Sequence, residues 1–326
     1  MKRREFLSGL AGTAATWPLV MGTTSVSAQT PGRVYRLGHL GNSVLSEAYT
    51  REITLPELAK LGFVEGRNLV FDARVGEQDT LPGLMRELVT AKSDAIIAVG
   101  TAAMAAAGAV TRTVPIVGFG SNPIELGLAQ TYARPGGNVT GVVILISELE
   151  VKRLSILHEV VPERRRVAIL YSAAQREISE PALLKAAGGL GVELLAFPVA
   201  TPAEYPAAFA AMRAARAEAL VIGAAPELFR DAKQLAALAL EARLPTVCEW
   251  AEMAQSGCLI GYGPNRAVLR RRMAAQIAQI FRGTAPGDIA IERPTVFESA
   301  INMRTAKALG LTLSQSTLAA ADDVID

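Results

Sequence analysis

The feature that most restricts the fold is an alternation of short apolar runs with helical periodicity, and it occurs twice. Residues 34–40, 68–75, 95–99 and 115–119 read as strands. Residues 46–61 and 102–110 between them read as helices. Leu81, Leu84, Met85, Leu88 and Val89 recur at the spacing of one helical face, with Thr80 as their cap. After a turn at Arg134-Pro135-Gly136-Gly137-Asn138 the pattern restarts. Strands at 139–146, 166–171, 193–199, 219–222, 245–250 and 258–262 alternate with helices over 181–190, 203–216 and 227–243, and Leu154, Leu157 and Val161 mark a further helix face. A long helix carries Leu269, Met273, Ile277 and Ile280, and the tail over 295–308 reads as a strand running into a short helix. Strands this short and apolar belong to parallel sheets covered on both faces. The expectation is an α/β chain of two doubly wound lobes.

The N-terminus sets the compartment. A basic start with Arg3-Arg4-Glu5-Phe6-Leu7 leads into an apolar stretch, and the small residues Val26 and Ala28 precede Gln29. That order is the order of a secretory signal, and the paired arginines resemble a twin-arginine export signal. The apolar stretch, interrupted by Gly9, Gly12 and Pro18, is too short to span a bilayer. Cleavage after Ala28 leaves 298 of the 326 residues, enough for two domains. The expectation is a soluble, periplasmic protein. A net charge of +2 without a basic patch excludes nucleic acid as partner. Cys248 and Cys258 lie ten residues apart. An oxidising compartment permits a bridge, but the apolar run Cys258-Leu259-Ile260 favours reading them as two small buried residues.

In open parallel sheets ligands bind beyond the C-terminal ends of the strands. In the first set those ends carry Gly41-Asn42-Ser43, Gly100-Thr101-Ala102 and Ser121-Asn122; in the second they carry Tyr171-Ser172, Ala225 and Glu249-Trp250. These are the candidate ligand-binding residues. Thr101 at a helix start offers free N–H groups to an anion; capping is the alternative role for Thr101, Ser121 and Asn122. Trp250 and Tyr171 could stack on a ligand or pack in the core. No catalytic constellation, metal site or cofactor motif is found. His158 sits on an apolar helix face as a structural residue. His39 lies in the first strand with no nucleophile or partner marked near it in sequence. Arg164-Arg165-Arg166 and Arg270-Arg271-Arg272 read as solvated faces, with transporter contact as the sharper alternative.

Four stretches carry a resemblance that covers essentially the whole mature chain: residues 57–68, 113–117, 133–141 and 301–311. In them the chain resembles the ABC-transporter substrate-binding family, whose characterised members include tryptophan/tyrosine-binding lipoproteins. The resemblance implies a type I periplasmic-binding fold: two Rossmann-like lobes joined by three crossover strands, a ligand trapped as the lobes close, a permease as partner and a monomeric state. It implies crossings near 140–146, 256–262 and 288–296, hence a first lobe of residues 29–142 plus 260–290 and a second of 143–259 plus 291–326. The chain departs from the family pattern where Asn122-Pro123 replaces Asp-Pro and Tyr171-Ser172 replaces Asn-Pro. Loss of a carboxylate at 122 removes a partner for a ligand ammonium. The expected ligand is a small molecule, an amino acid or an aromatic or carboxylic acid, with the change at 122 favouring a neutral or anionic molecule over an aromatic amino acid.

The leading reading is a solute-binding component of an importer. A sensor using the same closing scaffold and an exported α/β enzyme are the alternatives; the missing catalytic constellation speaks against the enzyme.

Overall fold

The computed structural model describes residues 32–326, the side chains of 176–179 excepted, so the leader expected over residues 1–28 lies outside the described residues. Two sheets organise the chain. The first has the order β2-β1-β3-β4-β5, from β1 (Tyr35–Gly41), β2 (Leu69–Val75), β3 (Ala95–Val99), β4 (Ile116–Gly120) and β5 (Val139–Val143), all parallel. Helices α1 (Val44–Tyr49), α2 (Leu55–Lys60), α3 (Leu81–Thr90) and α4 (Gly100–Val110) connect its strands. The expected helix over 46–61 is divided by a widened π turn at Thr50–Thr54. That turn lies just before Pro56, which has no N–H to place in a regular helical bond.

The second sheet has the order β12-β11-β10-β9-β8-β6-β7. Its strands are β6 (Arg166–Ser172), β7 (Glu193–Val199), β8 (Ala219–Ile222), β9 (Thr246–Cys248), β10 (Ile260–Pro264), β11 (Phe297–Asn302) and β12 (Asp323–Ile325). Its helices are α5 (Ile146–Val160), α6 (Arg176–Leu190), α7 (Tyr205–Ala214), α8 (Pro226–Arg230), α9 (Ala232–Glu241) and α10 (Ala251–Gln255). The sheet is parallel except where β10 meets β11 antiparallel, with Ile260 opposite Ile301. Helix α11 (Arg266–Phe281) then returns to the first sheet, and α12 (Met303–Leu309) and α13 (Gln315–Ala319) close the second lobe.

Strand alternation sorts the core. Leu37, Ile97, Val117 and Phe119 face α2 and α11, together with Leu269, Met273 and Ile277. Ile96, Ala98 and Ile116 face α3 and α4 with Leu81, Met85 and Met104. In the second sheet Val167, Ile169 and Val221 pack with Leu154 and Leu157 of α5, and Leu170, Leu220 and Ile222 pack on the other face. The inner strands β3, β4 and β8 are thus buried on both sides, which is why their sequences are apolar without alternation.

The chain passes between the sheets three times. The first passage is Ile144-Leu145, where Leu145 adopts a left-handed backbone (φ 55°, ψ 57°). The second is Asn265. The third runs from Glu292, whose N–H and carbonyl bond Gly141 and Val143 of the first sheet, to Val296, whose carbonyl accepts from the N–H of Asn265. The division expected at residue 260 is corrected: β10 pairs with β9 and β11 in the second sheet, so the crossing lies after Pro264. The expectation of two unbridged cysteines is corrected too, because Cys248 and Cys258 form a disulfide. Among the described residues no helix is long and apolar enough to cross a membrane.

Candidate ligand-binding site

The C-terminal ends of the strands of both lobes face each other across a cavity of about 500 Å³, open solvent at its mouth included. The first lobe contributes Ser43, Ser46, Tyr49, Val99, Gly100, Phe119 and Gly120; the second contributes Gln175, Ala225, Pro226, Phe229, Glu249 and Trp250. Ile144 and Ile146 flank the first crossing, and Arg266 and Arg270 project from α11 just beyond the second.

The two arginines dominate the chemistry. They stand one helical turn apart, on the face that continues through Met273 and Ile277 into the core. Asn265 fixes where this helix begins by accepting the N–H of Val268 at 2.8 Å. The Arg266 guanidinium lies 3.6 Å above the Tyr49 ring, 4.6 Å from Phe229 and 5.4 Å from Trp250, and donates to Glu252 at 2.6 Å. Three aromatic faces and a rim carboxylate therefore hold it. Arg270 lies 4.1 Å over Phe119 and donates to Thr50 Oγ1 at 2.8 Å, but no ion pair joins it to a carboxylate among the described residues, and its Nε has no partner. Burial, then the repulsion of Arg266, push its pKa down to about 9, so it stays charged at neutral pH.

Glu249 is the carboxyl of the cavity. Its own backbone carbonyl is gripped from behind by Arg153 of α5, which donates to it at 3.1 Å and to the carbonyl of Tyr262 at 2.8 Å. Burial raises the Glu249 pKa to about 7 against the opposing pull of Arg153. Gln175 reaches in from the turn after β6, its Nε2 3.5 Å from Thr101 Oγ1 and its Oε1 without a partner.

His39 does find a partner that its sequence surroundings did not mark: Nε2 lies 3.2 Å from Ser46 Oγ, and Nδ1 lies 3.3 Å from Thr50 Oγ1. This is a structural pair. Ser46 gives its proton to the Ser43 carbonyl at 2.6 Å. Burial, with Arg270 and Arg51 adding to it, lowers the His39 pKa to about 3, too weak a base to activate a hydroxyl.

Of the residues expected from sequence, Ser43, Gly100, Ala225, Glu249 and Trp250 line the cavity. Asn42, Thr101, Ala102 and Ser172 line a narrower cleft that shares Gly100, Gln175, Ala225 and Pro226 with it. Gly41, Ser121, Asn122 and Tyr171 line neither. Gly41 abuts Ser46, and Ser121 donates to Thr101 at 3.3 Å. Tyr171 is buried in the second lobe's core with its hydroxyl 3.3 Å from Glu180. Asn122 closes its own turn, accepting from the Ile124 N–H and donating to Glu125 and the Tyr132 hydroxyl. The inference drawn from Asn122 about ligand charge therefore loses its footing; Arg270 and Glu249 are the groups that bear on it. The anion site expected at the start of α4 is covered, since Pro226 of the second lobe sits over Gly100. Arg270 is buried and does not belong to the solvated run its sequence suggests. The signal that it does not is its register, three residues before Met273 and seven before Ile277.

The family description "ABC transporter substrate binding protein" matches residues 53–325. The chain belongs to that family. It is 23% identical over 255 residues to a tyrosine-binding protein of Clostridioides difficile (strain R20291), covering 77% of this chain and 73% of that one. Among solved structures it resembles a conserved domain protein of Vibrio cholerae, with a TM-score of 0.84 at 21% identity over 90% of this chain and all of that one. A Streptococcus pneumoniae ABC domain in complex with L-Trp follows at 0.78 and 19% identity, covering 89% of this chain and all of that one. These relatives share the two-lobed α/β fold, the one the sequence resemblance implies.

Proposed function

We propose that this substrate-binding protein is the extracytoplasmic component of an ABC importer and traps one small carboxylate-bearing molecule as its lobes close about the three crossings. The observation that carries the reading is Arg270. A buried guanidinium without a carboxylate partner, facing a cavity walled by both lobes, is an anion site awaiting its anion. Phe119, Phe229, Trp250 and Ile144 supply apolar walls for the rest of the ligand, which suits an aromatic or carboxylic acid or an amino acid. The exchange of bonds across the cleft supports closure, since a lobe-to-lobe contact such as Asn42 to Glu227 exists only with the lobes together. The leader expected at the N-terminus supports export by the twin-arginine route, and membership of the substrate-binding family supports action as a monomer beside a membrane permease. Binding without turnover is supported by the acid–base weakness of His39, the imidazole nearest the cavity.

The test is small-angle scattering of the purified protein with and without each member of a carboxylate panel, read beside thermal melts. A binding carboxylate is expected to raise the melting temperature and leave or make the particle compact. Chemical conversion of a carboxylate at catalytic rates, or binding confined to molecules without a carboxylate, would contradict the reading.

A further inference from the structure

The cavity holds an unusual balance of charge. Glu150 and Arg153 from α5 and Arg266 from α11 act on Glu249 directly; Arg270 lines the same cavity beside Arg266, Glu252 from α10 pairs with Arg266, and the Tyr262 hydroxyl on β10 and the Tyr49 hydroxyl on α1 act on Arg153 and Arg270. Three guanidiniums therefore meet three carboxyls. With every carboxyl ionised the group is neutral, and a ligand carboxylate on Arg270 would bring one negative charge too many into a closed, water-poor space. A buried charge without a counter-charge is expensive, and the cheapest remedy is to neutralise a group already there.

Glu249 is the group suited to that remedy. It is the only carboxyl among the described residues that line the cavity, whereas Glu252 is paired at the rim with its side chain 40% exposed. We propose that Glu249 sets the ligand's charge: the site takes a monocarboxylate together with one proton from solvent, the proton bonding to the Glu249 carboxylate, and selects against zwitterionic amino acids. This rests on the reading of Arg270 as the carboxylate anchor. Burial has already brought Glu249 to about 7, so the proton is gained at small cost.

The same surroundings disfavour an ammonium. The aromatic faces that could hold one, Tyr49, Phe229 and Trp250, are occupied by Arg266. Arg153 stands behind Glu249, Arg266 acts on it directly and Arg270 lines the same cavity, so an ammonium placed against Glu249 would meet like charge on several sides. Protonated Glu249 instead gives an O–H donor facing the same space as Arg270, able to donate to a ligand oxygen.

The experiment is calorimetric titration of the full chain with benzoate, phenylacetate and indole-3-acetate, and with L-tryptophan as the zwitterion, in two buffers of different ionisation enthalpy. The proposal expects carboxylate binding to take up about one proton per site at about pH 8, and affinity to fall about tenfold from about pH 6 to about pH 8. In Glu249→Gln both effects should vanish while binding persists, with the pH 6 affinity retained. Carboxylate binding by the wild type without proton uptake overturns this proposal and leaves the Arg270 anchor standing. Preferential binding of L-tryptophan without proton uptake overturns it as well, with Glu249 then ionised against the ammonium. Failure of every probe to bind overturns the carboxylate reading and this proposal with it. The wild-type proton count decides the matter even if the variant folds poorly.

Discussion

The side-chain amide of Asn42 donates to Glu227 Oε2 at 2.8 Å, joining the loop after β1 in one lobe to α8 in the other. Arg230, on the same short helix, points a guanidinium nitrogen at the Asn42 carbonyl from 3.5 Å. Neither contact touches the cavity's anchoring arginines, so the pair acts as a latch rather than as a ligand contact. A hydrogen bond to a charged group contributes about 1.5–3 kcal/mol. Asn42→Ala should therefore weaken ligand binding by about ten- to a hundredfold, with an unchanged melting temperature of the free protein and a larger radius of gyration at equal ligand. Equal affinity in the variant would show that closure does not use this bond.

Gly100 is the second point of contact between the lobes. Its backbone has φ +83°, and a Cβ there would lie 2.8 Å from Pro226 Cγ and 3.1 Å from Cδ. Gly100→Ala should act twice: it strains the backbone by about 1 kcal/mol or more, and it props α8 away from α4. The expected result is a modest loss of stability and a larger loss of affinity. A loss of stability alone, with affinity kept, would place the lobes farther apart than this account allows.

The disulfide between Cys248 and Cys258 closes a loop that carries Glu249, Trp250 and α10, with Glu252 on it pairing Arg266. A loop of this length is stabilised by about 2–3 kcal/mol on the chain-entropy account. Reductant, or the double substitution Cys248→Ala and Cys258→Ala, should lower the urea midpoint accordingly and weaken binding through the loosened cavity wall. Two thiols titrating in the native, unreduced protein would contradict the bridge.

Two buried groups give stability a pH optimum. His39 is held at about 3 in the folded state against an ordinary 6.5. The unfolded chain binds its proton first, so stability falls as pH drops from 6.5 towards 3. Glu249 is held at about 7 against 4.5, so the folded state binds its proton first and stability falls as pH rises from 4.5 to 7. Urea midpoints across this range should show His39→Asn flattening the acid limb and Glu249→Gln flattening the neutral one. Slopes of the opposite sign would refute the assignment.

What could be read from sequence follows the range of the interactions involved. Ala95–Val99 and Ile116–Gly120 are legible because both faces of a parallel strand are buried, and a continuous apolar run records this locally. The pairing of β10 with β11 is not legible, since Ile260 and Ile301 meet only after α11 has made its excursion to the first sheet. The site shows the same limit. Glu249 and Trp250 are found by the rule that ligands sit beyond strand ends. Arg266 and Arg270 come from a helix across the crossing, and a run of arginines looks solvated until the helix register is followed into Met273 and Ile277. Asn122 fails for a local reason: its side chain satisfies its own turn.

The most direct test of the account is calorimetric titration of the wild type and of Arg270→Met with small aromatic and aliphatic carboxylates. The account predicts one saturable site per chain in the wild type. Losing a charge-assisted anchor of about 2–3 kcal/mol should weaken the variant some thirtyfold or more. Full affinity for a carboxylate in Arg270→Met, with the variant folded, would mean that the cavity between the lobes holds its ligand some other way and that the anion site is misassigned.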